Sequence, residues 1–439
     1  SLVASAGANV QLPPWAQSIT EQLPVPATTL DPFVTNMPNG IKLIIQPETV
    51  SDSVSIYGRV KNNPNVQMPE GKDGVDEALS QLFSYGTKSL DRLAFQKALD
   101  DIGANESAGA DFSLQVLPEQ FERGVQLLAD NELSPALPED DFKIIQAQLT
   151  ASVAGELKSP NHIADHLLTT ALFPKGDPAR RQTTPGSVSA LTIDDVKNYY
   201  AAAFRPDLTT IVVIGKISPE NAVAVISKYF GNWNAEGEKP DTLFPPAPDN
   251  SPSVTQVPDA SRVQDKVTLA ETLQLTRTNS DYYALQLGNH VLGGGFYATR
   301  LYRDLREKSG LVYFVDSSFE VGLTRGVYQV EYACDPQNVS KARAVILNDL
   351  NEIQTQPVSD HELFQAKLML LRDIPLAESS ADWIADGWLT YSGLGLPLDE
   401  RVHAGKIFTQ LTTNDVQSAF AKWIRPNDLV QVTQGPTPQ

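Results

Sequence analysis

The sequence contains two segments that match each other at a fixed offset. The first is LTIDDVKNYYAAAFRPDLT, which begins at Leu191, and the second is LTTNDVQSAFAKWIRPNDLV, which begins at Leu411. One shared residue could be a coincidence, but a set that recurs at a single offset indicates an internal duplication of one domain. The shared positions are Asp195 and Asp415, Val196 and Val416, and the Arg-Pro pairs at 205–206 and 425–426.

Both copies predict the same local structure. In each, Thr-x-x-Asp opens a helix as a capping box, and Arg-Pro ends the helix before a strand, TTIVVIG in the first copy and LVQVTQ in the second. Short β-branched runs such as VSIYGRV and GVYQVEYA are mixed with longer amphipathic segments, and several predicted strands are close enough to form hairpins. We therefore expect an α+β fold with two homologous domains, each a mostly antiparallel sheet packed with helices.

Two proline-rich stretches predict the domain boundaries. Residues 243–261, LFPPAPDNSPSVTQVPDAS, cannot build a helix or a central strand, so we expect an interdomain linker there. Residues 1–30, which include LPPWAQ and LPVPATTLDPF, predict an N-terminal arm on the surface. The two domains then span 31–242 and 262–439, in keeping with a chain of 439 residues that is too long for one ordinary core.

Composition excludes several classes of protein. The formal net charge of −19 argues against nucleic-acid binding, which needs a basic face. No apolar run approaches the ~18 residues of a membrane helix. The single cysteine, Cys334, rules out an internal disulfide framework and a multi-cysteine metal site. The first residues include Ala4-Ser5-Ala6, which resembles the end of an export signal, so we expect an exported protein, periplasmic or otherwise.

The stretch PNHIADHLL at residues 160–168 raises the question of a metal site. His162 and His166 are four residues apart with Asp165 between them, and on a helix both imidazoles would share one face. The order is similar to the inverted zinc-peptidase motif His-x-x-Glu-His, whose Glu is the general base. However, Asp is shorter than Glu, and no nearby side chain offers an obvious third ligand. Two histidines on the polar face of a surface helix are the simpler interpretation.

Two further stretches carry a resemblance to a known family. GVDEALSQLFSYGT, residues 74–87, places an amphipathic helix before Gly-Thr, with apolar residues at helical spacing. NHVLGGGFYATRLYRDLREKSGLVYFVDSS, residues 289–318, continues from three glycines to Leu-Arg-Glu-x-x-Gly-Leu-x-Tyr. Together with the duplication, these phrases resemble the pitrilysin/insulysin-type metallopeptidases, and the chain is similar to their non-catalytic subunits, such as the alpha subunit of mitochondrial processing peptidase.

The resemblance implies that the metal motif has been lost. Active members carry His-x-x-Glu-His before the Gly-Thr, and the positions that align with the two His and the Glu are Glu77, Gln81 and Ser80. Glutamine is a poor zinc ligand, and serine has no basicity near neutral pH. Glu156 is the residue that best matches the family's third ligand, a Glu on a later helix. PNHIADHLL falls just after that helix, away from the metal. We therefore expect no metal and no catalytic residue in this chain.

The resemblance also implies a retained pair of substrate-binding residues. In active relatives an Arg and a Tyr of the second domain reach the zinc site, bind the substrate backbone and steady the oxyanion. Arg306 and Tyr313 match that pair. We therefore predict a non-catalytic, substrate-binding subunit of a heterodimeric zinc peptidase, inactive alone, whose zinc is in the partner chain and whose ligand is a peptide.

Two alternatives stay open. One is a homodimeric peptide-binding or scaffold protein without peptidase activity. The other is an active metallopeptidase that uses His162, Asp165 and His166.

Overall fold

The structure, a computed structural model, describes residues 23–295 and 298–438. Most of the predicted N-terminal arm, residues 1–22, therefore lies outside the described residues. Residues 23–32 run without regular structure to the first strand. No helix in the described ranges is long and apolar enough to cross a membrane.

The strands of the described chain form a six-stranded and a five-stranded sheet. The first sheet has the order β1-β2-β6-β3-β5-β4, and the second has the order β7-β11-β8-β10-β9. The strands of the first sheet are β1 (Phe33–Asn36), β2 (Lys42–Pro47), β3 (Val54–Val60), β4 (Asn105–Ser107), β5 (Asp111–Val116) and β6 (Thr209–Gly215). Those of the second are β7 (Ser253–Pro258), β8 (Asp265–Leu273), β9 (Phe314–Val321), β10 (Gly326–Cys334) and β11 (Val430–Gly435).

The two sheets repeat one topology, which confirms the predicted fold. Without β1, the first order reads β2-β6-β3-β5-β4 and corresponds strand for strand to the second. In each sheet one pair is parallel, β2 with β6 and β7 with β11, and the other pairs are antiparallel. The chain is therefore α+β with mostly antiparallel sheets.

Seven helices of the first half recur in the same order in the described second half. Those of the first half are α1 (Pro64–Gln67), α2 (Val75–Leu82), α3 (Arg92–Asp101), α4 (Phe121–Leu133), α5 (Glu139–Glu156), α6 (Pro160–Leu172), α7 (Pro185–Ser189), α8 (Ile193–Ala203) and α9 (Pro219–Phe230). Those of the second half are α10 (Asp281–Leu292), α11 (Arg300–Tyr302), α12 (Val339–Thr355), α13 (Asp360–Leu376), α14 (Ala381–Gly393), α15 (Glu400–Gln410) and α16 (Thr413–Trp423). Helices α2 to α8 correspond to α10 to α16, whereas α1 and α9 have no counterpart in the described second half. A π-helical turn, Arg303–Glu307, continues α11.

The capping boxes that indicated the duplication are present in both copies. Thr192 accepts from the backbone N–H of Asp195 at the start of α8, and the Asp195 carboxylate accepts from the backbone N–H of Thr192. Thr412 and Asp415 make the same reciprocal bonds at the start of α16. Each box satisfies two backbone donors that a helix start otherwise leaves to water.

Each sheet buries one face in the core of its own domain. Along β3 the residues alternate between buried and half-buried, as a strand with one covered core face should. Strand β6 is buried almost throughout because its two faces belong to different layers. Ile211 and Val213 point into the first core, whereas Val212 and Ile214 point to the opposite face of the sheet.

The opposite faces are covered by an exchange of helices between the domains. Helix α14, from the second half, packs Ala385, Trp388 and Leu389 against Val212 and Ile214 on the outer face of the first sheet.

Helix α6, from the first half, covers the second sheet in the same way. Ala164 packs against Val257 and Val432, and Leu172 packs against Ala270 and Val430. Because α6 and α14 occupy equivalent places in the two copies, the exchange is reciprocal. Each buried aliphatic side chain of this kind contributes about 1.5–3 kcal/mol, so neither sheet is complete without the other half of the chain.

A buried ion pair joins the two halves beside the exchanged helix α6. The guanidinium of Arg325, in the β9–β10 turn, makes two hydrogen bonds with the Asp177 carboxylate, at 2.6 and 3.1 Å. It lies between the rings of Phe173 and Phe244, at 4.1 and 4.3 Å from their centres. Both charged side chains are less than a tenth exposed. The pair therefore links a residue of the first half to the second sheet in a dry environment.

The stretch predicted as a linker is partly a strand. Ser253–Pro258 form β7, which pairs in parallel with β11 at the edge of the second sheet. An edge strand tolerates proline at its end because one side of its backbone needs no partner. The second sheet therefore begins within 243–261, and the residues before it are anchored to the sheet. Asn250, for example, accepts from the backbone N–H of Thr272 at 2.8 Å.

A buried carboxyl group lies where the second copy of Arg-Pro meets the sheet. Glu271, on β8, is fully buried and accepts from the backbone N–H of Arg425 at 3.0 Å. Burial raises the pKa of Glu271 more than the hydrogen bond from Arg425 lowers it. The resulting pKa is about 7. The folded chain therefore holds this proton more tightly than the unfolded chain does.

The first prediction concerns the buried ion pair. Arg325→Ala should lower the free energy of unfolding by about 3–5 kcal/mol, because it leaves the Asp177 carboxylate buried without its partner. Lys228→Ala removes an exposed ion pair with Glu122, which water screens, and should lower the free energy of unfolding far less. Urea unfolding followed by circular dichroism measures both. Equal costs for the two variants would contradict the assignment of Arg325 as an interdomain anchor.

The second prediction concerns pH. A carboxyl group with a raised pKa in the folded state favours folding while it is protonated, so its contribution is lost as the pH rises from about 4.5 to about 7. The contribution of Glu271 to the free energy of unfolding should fall by about 3 kcal/mol over this pH range. Glu271→Gln should therefore show a smaller fall in melting temperature between about pH 5 and pH 8 than the unsubstituted chain. Glu320→Gln, at an exposed position of β9, is the control and should leave the pH profile unchanged. The same profile in all three proteins would be evidence against the role of Glu271.

Candidate functional site

Helix α2 presents the aligned metal positions on its exposed face. Its other face is a buried stripe made by Val75, Ala78, Leu79 and Leu82. Because side chains three and four residues apart share a face, the remaining stripe points away from the core. That exposed stripe holds Glu77, Ser80 and Gln81.

The end of α5 lies beside this face. Glu156 is the last residue of α5, and its negative charge contributes to a raised pKa at Glu77. The larger causes of that shift are the partial burial of Glu77 and the charge of Asp76. Glu156 is therefore close enough to α2 for its charge to act on Glu77, as the resemblance implied.

The donor set at this place does not fit a catalytic zinc. A peptidase zinc takes imidazole and carboxylate ligands and needs a base beside its water. Here the aligned side chains are a carboxylate, a hydroxyl and a carboxamide, at Glu77, Ser80 and Gln81. Across residues 23–295 and 298–438, no three His, Cys, Asp or Glu side chains come together where they could hold a metal ion.

PNHIADHLL is closer to this place than the resemblance implied. The Nδ1 atom of His162 is 3.3 Å from the Glu156 carboxylate, and its Nε2 atom is 2.9 Å from the Gln182 amide nitrogen. The rings of His162 and His166 stack nearly parallel with their centres 6.4 Å apart. Asp165 lies on the exposed side of α6. The expectation that this stretch lies away from the metal position is therefore wrong for His162, whose ring contacts the aligned third-ligand residue.

The structure brings Arg306 and Tyr313 together. Arg306 lies in the π-helical turn after α11, and one of its guanidinium nitrogens donates to the main-chain carbonyl of Tyr313. Gly310, at φ +59°, makes the tight turn between them. The backbone N–H of Tyr313 donates to Ala333 on β10 at 2.8 Å. Both side chains are exposed, Tyr313 by 48%.

A carboxylate holds the phenol of Tyr313. Its hydroxyl donates to Asp335 at 3.0 Å, and this bond and the charge of Asp335 raise the pKa of Tyr313. The phenol therefore stays protonated near neutral pH and keeps a hydrogen to donate.

Charged side chains fix the segment that carries Arg306. Arg300 makes two bonds to Glu362 at 2.7 and 3.0 Å, which ties α11 to the start of α13. Asp304 accepts from Arg303, and that bond is the main reason that the pKa of Asp304 falls to about 2. These partners were not predicted from the sequence. The separation of 62 residues between Arg300 and Glu362 carries no local signal.

The two groups of candidate residues remain separate within the chain. In the part of the chain that the structure describes, no hydrogen bond or ion pair joins Glu77, Ser80 or Gln81 to Arg306 or Tyr313. The α2 face offers no nucleophile activated by a base. The second-domain pair offers a guanidinium and a phenol, which are donors suited to a carbonyl oxygen that gains charge.

The third prediction tests the degenerate zinc face by rebuilding it. The combined change Glu77→His, Ser80→Glu and Gln81→His should give a chain that binds about one zinc, with Glu156, whose charge acts on Glu77, as the expected third ligand. Elemental analysis after dialysis measures the content, and adding Glu156→Gln to the rebuilt chain should lower it.

The unsubstituted chain is the control for the rebuilt one and should hold almost no zinc. Stoichiometric zinc in the unsubstituted chain that is lost on His162→Ala would instead favour a site at His162 and His166. A rebuilt chain that binds no zinc would contradict the alignment of α2 with the catalytic helix.

Comparisons with known proteins find similarity both to proteins named as zinc proteases and to proteins named as inactive. Residues 190–370 match the family model described as the peptidase M16 inactive domain. An uncharacterized zinc protease of Mycobacterium tuberculosis is 23% identical over 362 residues, which cover 78% of this chain and 79% of that protein. The probable inactive metalloprotease YmfF of Bacillus subtilis is 25% identical over 337 residues, 70% of this chain and 77% of that one. The relatives therefore include proteins named as proteases and proteins named as inactive.

A solved structure shows the same fold. The crystal structure of a peptidase M16 inactive domain from Pseudomonas fluorescens superposes with a TM-score of 0.82 at 22% identity, over 93% of this chain and 99% of that chain. The chain therefore shares the fold of that structure, is similar to the peptidase M16 inactive domain over residues 190–370, and lacks the His-x-x-Glu-His motif.

Proposed function

We propose that this chain is the non-catalytic, substrate-binding subunit of a heterodimeric zinc peptidase. A partner chain of the same family supplies the zinc and the general base. This chain supplies Arg306 and Tyr313 to the partner's active site, where a peptide is hydrolysed. Alone, the chain has no peptidase activity.

The observation that carries the proposal is the contrast between the two candidate places. The α2 face, at Glu77, Ser80 and Gln81, has side chains that cannot form the zinc site. Arg306 and Tyr313 are exposed, adjacent and held from behind by bonds that fix their segment. The contacts of the Arg306 guanidinium and the Tyr313 hydroxyl do not explain why both donors are held at the surface. A role toward another molecule accounts for them best.

The chemistry of the pair suits a peptide carbonyl. The guanidinium of Arg306 has five N–H donors and uses one for the Tyr313 carbonyl, so the others can bind a substrate backbone. Donors placed before the reaction stabilise the oxyanion that forms when water attacks, because they need no rearrangement as charge develops. Tyr313 must turn its hydroxyl from Asp335 toward the substrate to take part.

The fourth prediction tests this role in the reconstituted pair. With a zinc-bearing partner, Arg306→Ala should lower kcat/KM for a peptide by about 10²–10³, mainly through kcat, because the lost donor acts on the oxyanion. Tyr313→Phe should have a smaller effect in the same direction. A fluorogenic peptide library measures the rates.

Lys308→Ala is the matched control. Lys308 is exposed in the same segment and pairs with Asp304, so its loss should leave the rates nearly unchanged. Full activity in Arg306→Ala and Tyr313→Phe complexes would remove the assigned role. A stable homodimer that does not combine with any zinc-bearing chain would favour the scaffold alternative.

A further inference from the structure

A cavity of about 400 Å³ lies in the second half of the chain, apart from Arg306 and Tyr313. Helices α10, α13, α14 and α15 and strand β9 contribute its walls. It shares Val321 and Leu394 with a neighbouring cavity that residues of both halves line, Lys61 among them. The cavity therefore lies beside the junction of the two domains and is large enough for an amino-acid side chain with its backbone.

The cavity contains a buried pair of opposite charges. An Nη2 atom of Arg277 lies 3.1 Å from the Glu400 carboxylate, which also accepts from the Tyr283 hydroxyl at 2.5 Å. Arg277 and Glu400 are 7% and 2% exposed. The loop that carries Arg277 is fixed, because its backbone N–H donates to Gly322 at 2.8 Å, and the guanidinium lies 3.8 Å from the centre of the Tyr282 ring.

One donor and one acceptor of this pair lack a protein partner. The Nη1 atom of Arg277 and the Oε2 atom of Glu400 are buried and make no hydrogen bond in the described chain. Leaving such groups unpaired is costly, so a molecule that reaches both gains more than one that reaches neither. Such a molecule needs an acceptor for Arg277 and a donor for Glu400 in adjacent positions.

The charge balance of the cavity favours a neutral molecule. Arg277 and Glu400 already compensate each other, and the other charged residues that line the cavity, Asp373 and Arg401, are again one of each sign. A lone carboxylate or ammonium would bring an uncompensated charge into a largely buried place. An amide has a carbonyl acceptor and an N–H donor and brings no charge.

The walls favour a large apolar group beside that amide. Rings from four elements line the cavity together with aliphatic side chains: those of Tyr282, Phe319, Tyr391 and Phe408 beside Leu370 and Ile374. Aromatic and aliphatic walls stabilise a bound apolar side chain in proportion to the area that leaves water.

We propose that this cavity binds an uncharged amide that carries a large apolar side chain, as an internal Phe or Leu residue of a peptide presents. The inference rests on the proposed peptide-binding function and names a residue class that this chain would select. Glu400 accepts the amide N–H, Arg277 donates to the amide carbonyl, and the apolar side chain packs against the rings.

The fifth prediction uses the chain alone and N-acetyl-phenylalaninamide as the probe. Titration calorimetry and ligand-observed NMR should detect its binding. N-acetyl-phenylalanine, which replaces the terminal amide by a carboxylate, should bind at least about tenfold more weakly because its charge has no partner. Ala404→Phe fills the cavity without changing Arg277 or Glu400 and should abolish binding.

Lys406→Phe, at an exposed position of the same helix, is the matched control and should bind as well as the unsubstituted chain. Leu394→Trp blocks the facing wall and takes the place of Ala404→Phe if that variant does not fold. No binding to the unsubstituted chain, or equal binding to a folded blocking variant, would overturn the inference and leave the cavity to water.

The same probe separates the inference from the proposed function. Amide binding by a chain whose complex has no peptidase activity would support the cavity and reject the proposed function. Peptide hydrolysis by the complex without amide binding to the chain would support the proposed function and reject the cavity as an amide-binding site.

Discussion

The exchange of helices between the two halves is the constraint on which the rest of the structure depends. Each sheet has an outer face that its own domain does not cover, and the equivalent helix of the other copy covers it, α14 on the first sheet and α6 on the second. The Arg325–Asp177 pair reinforces this junction in a place that excludes water. The candidate site, the interdomain cavities and the orientation of Arg306 relative to α2 are all set by this packing.

This dependence explains how the α2 face, which the resemblance aligns with a catalytic face, can carry other side chains while the fold is kept. The buried stripe of α2 contributes Val75, Ala78, Leu79 and Leu82 to the first core, so the helix is needed whether or not it binds a metal. Glu77, Ser80 and Gln81 lie on the exposed stripe and are free to change at little cost in stability. The Arg306 segment differs, because the ion pair of Arg300 with the distant Glu362 and the local pair of Arg303 with Asp304 hold it even though its tip is exposed.

The sequence was sufficient for the fold class because its signals were local and repeated. The capping boxes at Thr192 and Thr412 mark equivalent helix starts, and the two sheets then follow one topology. The exchange of α6 and α14 could not be predicted, since an apolar helix face does not say which sheet it covers. Strand β7 was missed because its flanking prolines indicate a linker and an edge strand equally.

The candidate site was predictable only in part. Arg306 and Tyr313 lie close together in sequence, and their contact follows from one turn. The contact between His162 and Glu156 was not foreseen, because it depends on the angle between two consecutive helices rather than on spacing. The Arg277–Glu400 pair joins residues 123 apart, so only tertiary structure reveals it.

Native mass spectrometry of the chain mixed with a zinc-bearing chain of the same family tests the central claim most directly, because one spectrum reports both stoichiometry and metal. The account predicts a complex with one copy of each chain and one zinc, and a separate population of this chain without metal. A homodimer of this chain that carries zinc, or no complex between the two chains, would contradict it.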